Sequence, residues 1–144
     1  MILYCDTSAL IKLYFSEAGS AVVKKLARGA EAVATCRVSW AEAHAAFAHR
    51  VRAVPGDAAA VARARRAFAA DWPKFVRVEM TQKVIERAAE YADTFALRGY
   101  DSVQLAAAHT LAEESDLPVT FACFDARLNQ AAGVLTMQVP FSHG

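Results

Sequence analysis

Four acidic residues stand where strand-like or loop segments of the sequence pass into helical ones. Asp6 and Asp125 each follow an apolar run typical of a strand. Asp101 opens a nearly all-apolar helical segment, and Glu42 lies one turn into another helical pattern. Carboxylate oxygens are hard ligands, and no histidine or cysteine cluster competes with them, which favours Mg²⁺ or Mn²⁺ over zinc. Because such an ion activates water and stabilises charge on a phosphodiester, the residue types indicate metal-assisted phosphoryl hydrolysis.

The elements that must position these acids alternate between strands and helices. Strands are predicted at residues 2–5, 31–36, 75–78, 119–124 and 136–139, and helices at about 7–15, 22–29, 39–54, 57–72, 81–97, 101–111 and 125–132. No hairpin signal such as Asn-Gly occurs, so the alternation predicts a mostly parallel sheet with helices on both faces. The expected fold class is α/β, with three α/β/α layers and about four or five strands. No repeat or linker divides the chain, and we expect one domain over residues 1–144.

This topology would bring the acids together. The strands of a parallel sheet end at one edge, where α/β proteins usually bind ligands, and helices that follow or return to strands begin there. Four acids at that edge would repel one another, and a divalent cation is the simplest remedy. Asp6, Glu42 and Asp101 have no lysine or arginine three or four residues along their own helices to neutralise them. Convergence therefore favours a metal site.

Helix capping is the competing interpretation of the same residues. Asp6, Asp101 and Asp125 stand where an N-cap belongs, and Ser39 with Glu42 forms a capping box. Acids at helix starts are common because they stabilise the helix dipole. Each acid taken alone therefore remains open to this explanation.

Bulk properties restrict the class of protein. The 144 residues are 56% hydrophobic with a formal net charge of +1, so a nucleic acid would have to be bound by local basic clusters. The three cysteines, Cys5, Cys36 and Cys123, are scattered, which predicts buried free thiols in a reducing compartment. Charges interrupt every apolar run before it could span a bilayer. We expect a soluble, cytoplasmic protein without a membrane partner.

Arginines are the candidate contacts to RNA. A group in the middle of the chain could face phosphates or could form only a solvated helix face; its members are Arg50, Arg52, Arg63, Arg65 and Arg66. Arg98 lies close to Asp101 in the sequence, so it could bind a backbone phosphate or pair with the acid.

Four segments carry a resemblance to a known family: YCDTSAL at 4–10, SWAE at 39–42, LRGYDSVQLAAA at 97–108 and TFACFD at 120–125. Together they resemble the PIN domain, and within that superfamily the VapC-type ribonuclease toxins of bacterial or archaeal toxin–antitoxin pairs. Their order and spacing fit along essentially the whole chain. Many members carry a histidine at the position of Gln104, so no histidine role is expected there.

The resemblance implies a divalent-metal-dependent endoribonuclease using Mg²⁺ or Mn²⁺, which leaves a 5′-phosphate and a 3′-hydroxyl. It implies that Thr7 or Ser8 supports Asp6 through its hydroxyl. It also implies an RNA substrate, a homodimer, and a cognate VapB-type antitoxin whose tail occupies the active-site groove. The catalytic and metal-binding acids that it implies are Asp6, Glu42, Asp101 and Asp125.

Two other functions remain open at this stage. A haloacid-dehalogenase-like phosphatase also begins with an acid after its first strand, but its chemistry needs a second aspartate two positions on, where this chain has Ser8. A catalytically inactive PIN-like module that binds RNA or protein would use the same acids only as helix caps.

Overall fold

A parallel sheet forms the centre of the molecule. The computed structural model describes residues 1–141 and contains four strands: β1 (Ile2–Cys5), β2 (Ala32–Cys36), β3 (Val76–Val78) and β4 (Val119–Ala122). Their order is β3-β2-β1-β4, and each neighbouring pair is parallel. Strand β1 is buried along its whole length because strands flank it on both sides and helices cover both faces.

Helices connect the strands and cover both faces of the sheet. Residues 1–141 contain α1 (Thr7–Ile11), α2 (Ser20–Gly29), α3 (Ser39–Ala53), α4 (Ala58–Asp71), α5 (Gln82–Thr94), α6 (Gly99–Glu114) and α7 (Ala126–Val134), with short 3₁₀ turns at Pro55–Asp57 and Trp72–Lys74. Helix α1 ends at Ile11, four residues earlier than predicted. Helix α6 begins at Gly99, so Asp101 lies in its first turn and not at the predicted cap.

Alternate residues of the strands enter two separate cores, as the two-residue period of a strand requires. Tyr4 of β1 packs with Phe121, Leu105 and Leu128 on the face covered by α5, α6 and α7. Leu3 packs on the opposite face with side chains from α1 to α4, among them Leu10, Val23, Phe47 and Phe68. The predicted three-layer α/β/α fold is therefore confirmed.

The predicted fifth strand is wrong. Residues 136–139 contribute only one isolated parallel bridge, between Thr120 and Gln138. The N–H of Phe121 donates to the carbonyl oxygen of Gln138 at 2.8 Å. Thr136 has φ of +65°, a left-handed conformation that interrupts an extended run before a ladder can form.

Two further expectations bear on the surroundings of the chain. Cys5, Cys36 and Cys123 are all free and buried, as predicted. Among residues 1–141, no helix combines the length and the apolar character that crossing a membrane would need.

Candidate active site

The acids lie on elements that meet at the carboxyl edge of β1 and β4. Asp6 directly follows β1, and Asp125 follows β4 after a short loop. Glu42 is in the first turns of α3, which leaves β2, and Asp101 is in the first turn of α6, which leads back into β4. The topology thus places all four predicted acids at one end of the sheet.

Asp6 is a buried carboxylate that is also a helix cap. Its Oδ1 accepts from the N–H of Ala9 at 3.0 Å and from the hydroxyl of Ser8 at 2.7 Å, and only 6% of the residue is exposed. Burial raises the pKa of the Asp6 carboxyl, and the charge of Asp101 adds to this shift. The hydrogen bonds from the Ser8 hydroxyl and from the N–H of Ala9 oppose it. The pKa therefore shows a carboxylate whose ionised form is costly in the folded protein.

Glu42 is held by neutral donors from two other elements. Its Oε1 accepts from the hydroxyl of Thr7 at 2.7 Å and from Nε2 of Gln104 at 2.9 Å. Thr7 thus supports Glu42, and of the two hydroxyls expected to support Asp6 only Ser8 hydrogen-bonds to it.

The predicted capping box of Ser39 and Glu42 is wrong. Helix α3 begins without a side-chain cap. The hydroxyl of Ser39 lies 2.7 Å from Oγ1 of Thr35, and Nε2 of Gln104 donates to it at 3.0 Å. These buried partners leave Ser39 inside the protein, away from the free N–H groups of the helix.

Asp101 and Asp125 form the more open half of the edge. They line a cavity of about 410 Å³ together with Arg98 and Arg127. Nε of Arg98 donates to Oδ2 of Asp101 at 3.1 Å, although 83% of the arginine side chain is exposed. Asp125 caps α7, its Oδ1 accepting from the N–H of Leu128 at 2.9 Å. Asp101 therefore pairs with Arg98, one of the two roles that the sequence leaves open for this arginine, although no basic residue follows three or four positions later on α6.

The four acids share a pattern that suits a divalent cation. Within residues 1–141, N–H and O–H donors contact only one oxygen of each carboxylate: Oδ1 of Asp6, Oε1 of Glu42, Oδ2 of Asp101 and Oδ1 of Asp125. The second oxygen of each is left for another partner, and carboxylate oxygens are the ligands that Mg²⁺ and Mn²⁺ prefer. In the same described range no group of three His, Cys, Asp or Glu side chains is arranged so that it could hold a metal ion, so the side chains of the four acids share one edge but do not form a ready set of ligands.

Two of the predicted RNA-binding arginines lie far from this edge. Arg50 and Arg52 are near the end of α3, eight and ten residues beyond Glu42, which corresponds to roughly 12 and 15 Å along a helix axis. Arg50 is also engaged, because it pairs with Glu17 at 2.8 Å and lies over the ring of Phe15 at 3.9 Å. Of Arg50, Arg52 and Arg98, only Arg98 adjoins the acids.

Gln104 and Arg127 were not identified as site residues from the sequence. Gln104 is only 3% exposed and contacts Glu42, and Arg127 lines the cavity beside Asp125. A buried amide one turn after Asp101 in an otherwise apolar helix was the available signal for Gln104. For Arg127, the one signal in the sequence is its position two residues after Asp125.

Together, the sheet and its acidic edge define the class: a parallel α/β protein with candidate metal ligands at the carboxyl ends of its strands. Residues 3–134 match the PIN domain, and the chain belongs to that family. It is 33% identical over 131 residues to Ribonuclease VapC45 of Mycobacterium tuberculosis (strain CDC 1551 / Oshkosh), covering 91% of this chain and 89% of that protein. The same values hold for Ribonuclease VapC49 of Mycobacterium tuberculosis (strain ATCC 25618 / H37Rv).

Solved structures share the fold at lower identity. PAE2754 from Pyrobaculum aerophilum superposes with a TM-score of 0.66 at 21% identity, covering 96% of this chain and 83% of that one. FitAcB from Neisseria gonorrhoeae gives 0.60 at 18% identity, covering 96% of each chain. A toxin–antitoxin complex from Klebsiella pneumoniae gives 0.59 at 18% identity, covering 88% of each chain. At these identities the likeness shows the PIN-like fold alone.

Proposed function

We propose that the protein is a divalent-metal-dependent endoribonuclease and the toxin of a VapBC-type toxin–antitoxin pair. The observation that carries the proposal is the 33% identity to two VapC ribonucleases over 91% of the chain. The acidic edge supports it, because each of the four acids has a carboxylate oxygen without a donor within residues 1–141.

The four acids would together bind the cation, and neighbouring groups would orient them. A divalent cation bound by Asp6, Glu42, Asp101 and Asp125 would lower the pKa of a water molecule and offset the charge of the phosphodiester. Ser8 and the N–H of Ala9 fix the Asp6 carboxylate through Oδ1, and Thr7 fixes Glu42 through Oε1. Orienting the ligands in this way is the usual task of groups behind a metal site.

Arg98 and Arg127 give this edge a positive rim. Both line the cavity that contains Asp101 and Asp125. Arg98 is largely exposed, so its guanidinium could contact an RNA phosphate beside the acids.

The partners follow from the relatives. The Klebsiella pneumoniae structure is a toxin–antitoxin complex, and we extend this to a cognate VapB-type antitoxin for the present chain. We also propose a homodimer. Co-expression with any small protein encoded next to this chain, followed by mass measurement of the purified complex, would test both.

The ribonuclease is tested with Asp6→Asn and Asp101→Asn, assayed on RNA with Mg²⁺ or Mn²⁺. We expect both variants to lose cleavage by at least about 100-fold, because each loses a charged ligand. Glu114→Gln is the matched control, since Glu114 is an exposed acid at the last residue of α6, thirteen residues from Asp101, or roughly 20 Å along a helix axis. Folded Asp6→Asn and Asp101→Asn variants that cut as fast as the control would contradict the proposal.

The two alternatives receive no support from the site. Where the phosphatase chemistry needs a second aspartate, Ser8 donates its hydroxyl hydrogen to Asp6. An inactive binding module predicts that Mg²⁺ and Mn²⁺ leave the melting temperature unchanged, whereas a ligand that binds only the folded state raises it.

A further inference from the structure

We infer that Gln104 is a positioning residue for Glu42: its side-chain amide is fixed by Tyr4 and in turn fixes the Glu42 carboxylate at the candidate metal site. The inference rests on the proposed function and adds a residue to it. It is based on the hydrogen bonds that converge on one buried amide.

The amide oxygen of Gln104 is fixed from the core. Tyr4 is fully buried in β1, and its hydroxyl donates to Oε1 of Gln104 at 2.6 Å. Turning the amide over would break this hydrogen bond and set Oε1 against the carboxylate of Glu42, 2.9 Å from the present position of Nε2, which costs free energy.

The amide nitrogen is thereby directed at the acidic edge. Nε2 of Gln104 lies 2.9 Å from Oε1 of Glu42, 3.0 Å from the hydroxyl oxygen of Ser39 and 3.3 Å from that of Thr7. All three partners are acceptors for an amide N–H. The buried Tyr4 hydroxyl therefore keeps the amide N–H of Gln104, and not its oxygen, directed at Glu42.

These hydrogen bonds orient the carboxylate of Glu42. Gln104 and Thr7 both donate to Oε1, and within residues 1–141 no N–H or O–H contacts Oε2. Two donors on one oxygen restrict rotation of the carboxylate. Neutral donors do so without cancelling its charge, so Oε2 stays available to a cation.

The test compares variants of the Tyr4–Gln104–Glu42 relay of hydrogen bonds by Mn²⁺ titration calorimetry and by RNA cleavage. Gln104→Met keeps the length of the side chain but removes both polar groups, and we expect Mn²⁺ affinity to fall by about tenfold or more. Gln104→His keeps one acceptor and one donor on its ring, and we expect most of the affinity to return. Tyr4→Phe removes only the hydroxyl, and we expect a fall of a few-fold with the fold intact.

Thr110→Val is the control. Thr110 is another buried polar residue of α6, and its hydroxyl accepts from Arg87, away from the acids. We expect it to lower the melting temperature and to leave Mn²⁺ affinity unchanged, which separates loss of a buried hydrogen bond from loss of orientation.

The outcomes distinguish this inference from the proposed function. A wild type that binds Mn²⁺ and cleaves RNA, matched in both by Gln104→Met and Tyr4→Phe, would overturn the role of Gln104 alone. A wild type that neither binds Mn²⁺ nor cleaves RNA would overturn both. Should Gln104→Met fail to fold, Tyr4→Phe decides: unchanged Mn²⁺ affinity contradicts the relay, and reduced affinity with unchanged affinity in Thr110→Val supports it.

Discussion

The two halves of the acidic edge differ in how they hold Asp6 and Asp101. On one half, the buried Asp6 and the half-buried Glu42 accept hydrogen bonds from hydroxyls, a backbone N–H and an amide, all of them neutral. On the open half, Asp125 also accepts from a backbone N–H, but Asp101 is paired with Arg98 and lines a cavity. Neutral donors orient a carboxylate but leave its charge, whereas an arginine orients it and also cancels charge. Among the hydrogen-bond partners of the four acids within residues 1–141, Arg98 is thus the one cation, and it contacts Asp101 and not Asp6.

This difference implies that the site reduces the stability of the protein when no cation is bound. An ionised carboxylate in a buried position is costly unless a charge or strong hydrogen bonds compensate it. The raised pKa of Asp6 shows that its hydrogen bonds do not compensate fully. Functional sites commonly carry such a cost, which the rest of the fold must offset.

The largest effect is expected for Asp6→Asn in metal-free buffer at pH 7. Asparagine also caps helices well and can still accept from Ala9, but it carries no charge. We therefore expect the variant to be more stable than the wild type by about 1 kcal/mol, or roughly 4 °C in melting temperature. Thermal unfolding in EDTA measures this, and addition of Mn²⁺ should raise the melting temperature of the wild type only.

The pH dependence of the stability difference between the wild type and Asp6→Asn tests the sign of the Asp6 contribution. Because the pKa of Asp6 is raised in the folded state, its protonated form is favoured by folding. The deficit of the wild type relative to Asp6→Asn should vanish below the unfolded value of about 3.9 and grow as the pH rises through the folded pKa. Asp101→Asn, on the open half, should change stability by less than about 0.5 kcal/mol. Equal shifts in both variants would remove the distinction between the halves.

A smaller effect is expected for Arg98→Ala, and it should have two opposite parts. Loss of the ion pair frees Asp101, so Mn²⁺ should bind a few-fold more tightly. Loss of an exposed cation at the rim should weaken RNA binding and reduce its salt dependence by about one phosphate contact. Calorimetry with Mn²⁺ and RNA binding at several salt concentrations measure the two parts.

Arg52→Ala is the matched control for Arg98→Ala. Arg52 is also exposed but lies toward the far end of α3. We expect neither Mn²⁺ nor RNA binding to change. An equal loss of RNA binding in both variants would show that the RNA surface extends along α3, as the sequence pattern allowed.

The sequence predicts the position of the acids at the sheet edge better than the groups that hold them. Apolar runs followed by Asp6 and Asp125 contain local information about strand ends, and the parallel topology follows from the alternation of elements. The contacts of Gln104 cannot be predicted in this way, because Glu42 and Tyr4 lie 62 and 100 residues away in the chain. No local pattern reports such pairs.

The errors have local causes that the sequence alone does not reveal. Ser39 resembles a cap until the fold brings Thr35 and Gln104 to its hydroxyl. Residues 136–139 have strand-like composition, but the left-handed turn at Thr136 leaves them one bridge. In each case a contact or a backbone angle of the folded chain prevails over local propensity.

The smallest effect is expected for Glu17→Gln, which tests the comparison on an acid outside the site. Glu17 is held by cations, as Asp101 is: Arg50 contacts it at 2.8 Å and Lys12 at 3.2 Å. The hydrogen bond from Arg50 is the main cause that lowers the pKa of Glu17, so the charge of Glu17 favours folding, whereas that of Asp6 opposes it.

The stabilisation by the Glu17 charge is present above the unfolded pKa of about 4.3 and is lost as the pH falls through the folded value. We therefore expect Glu17→Gln to lower stability at pH 7 by about 0.5 kcal/mol and to match the wild type near pH 2. Urea unfolding at both pH values measures this, with the exposed Glu114→Gln as control. A stabilising effect of Glu17→Gln at pH 7 would mean that cationic partners do not separate the two kinds of acid.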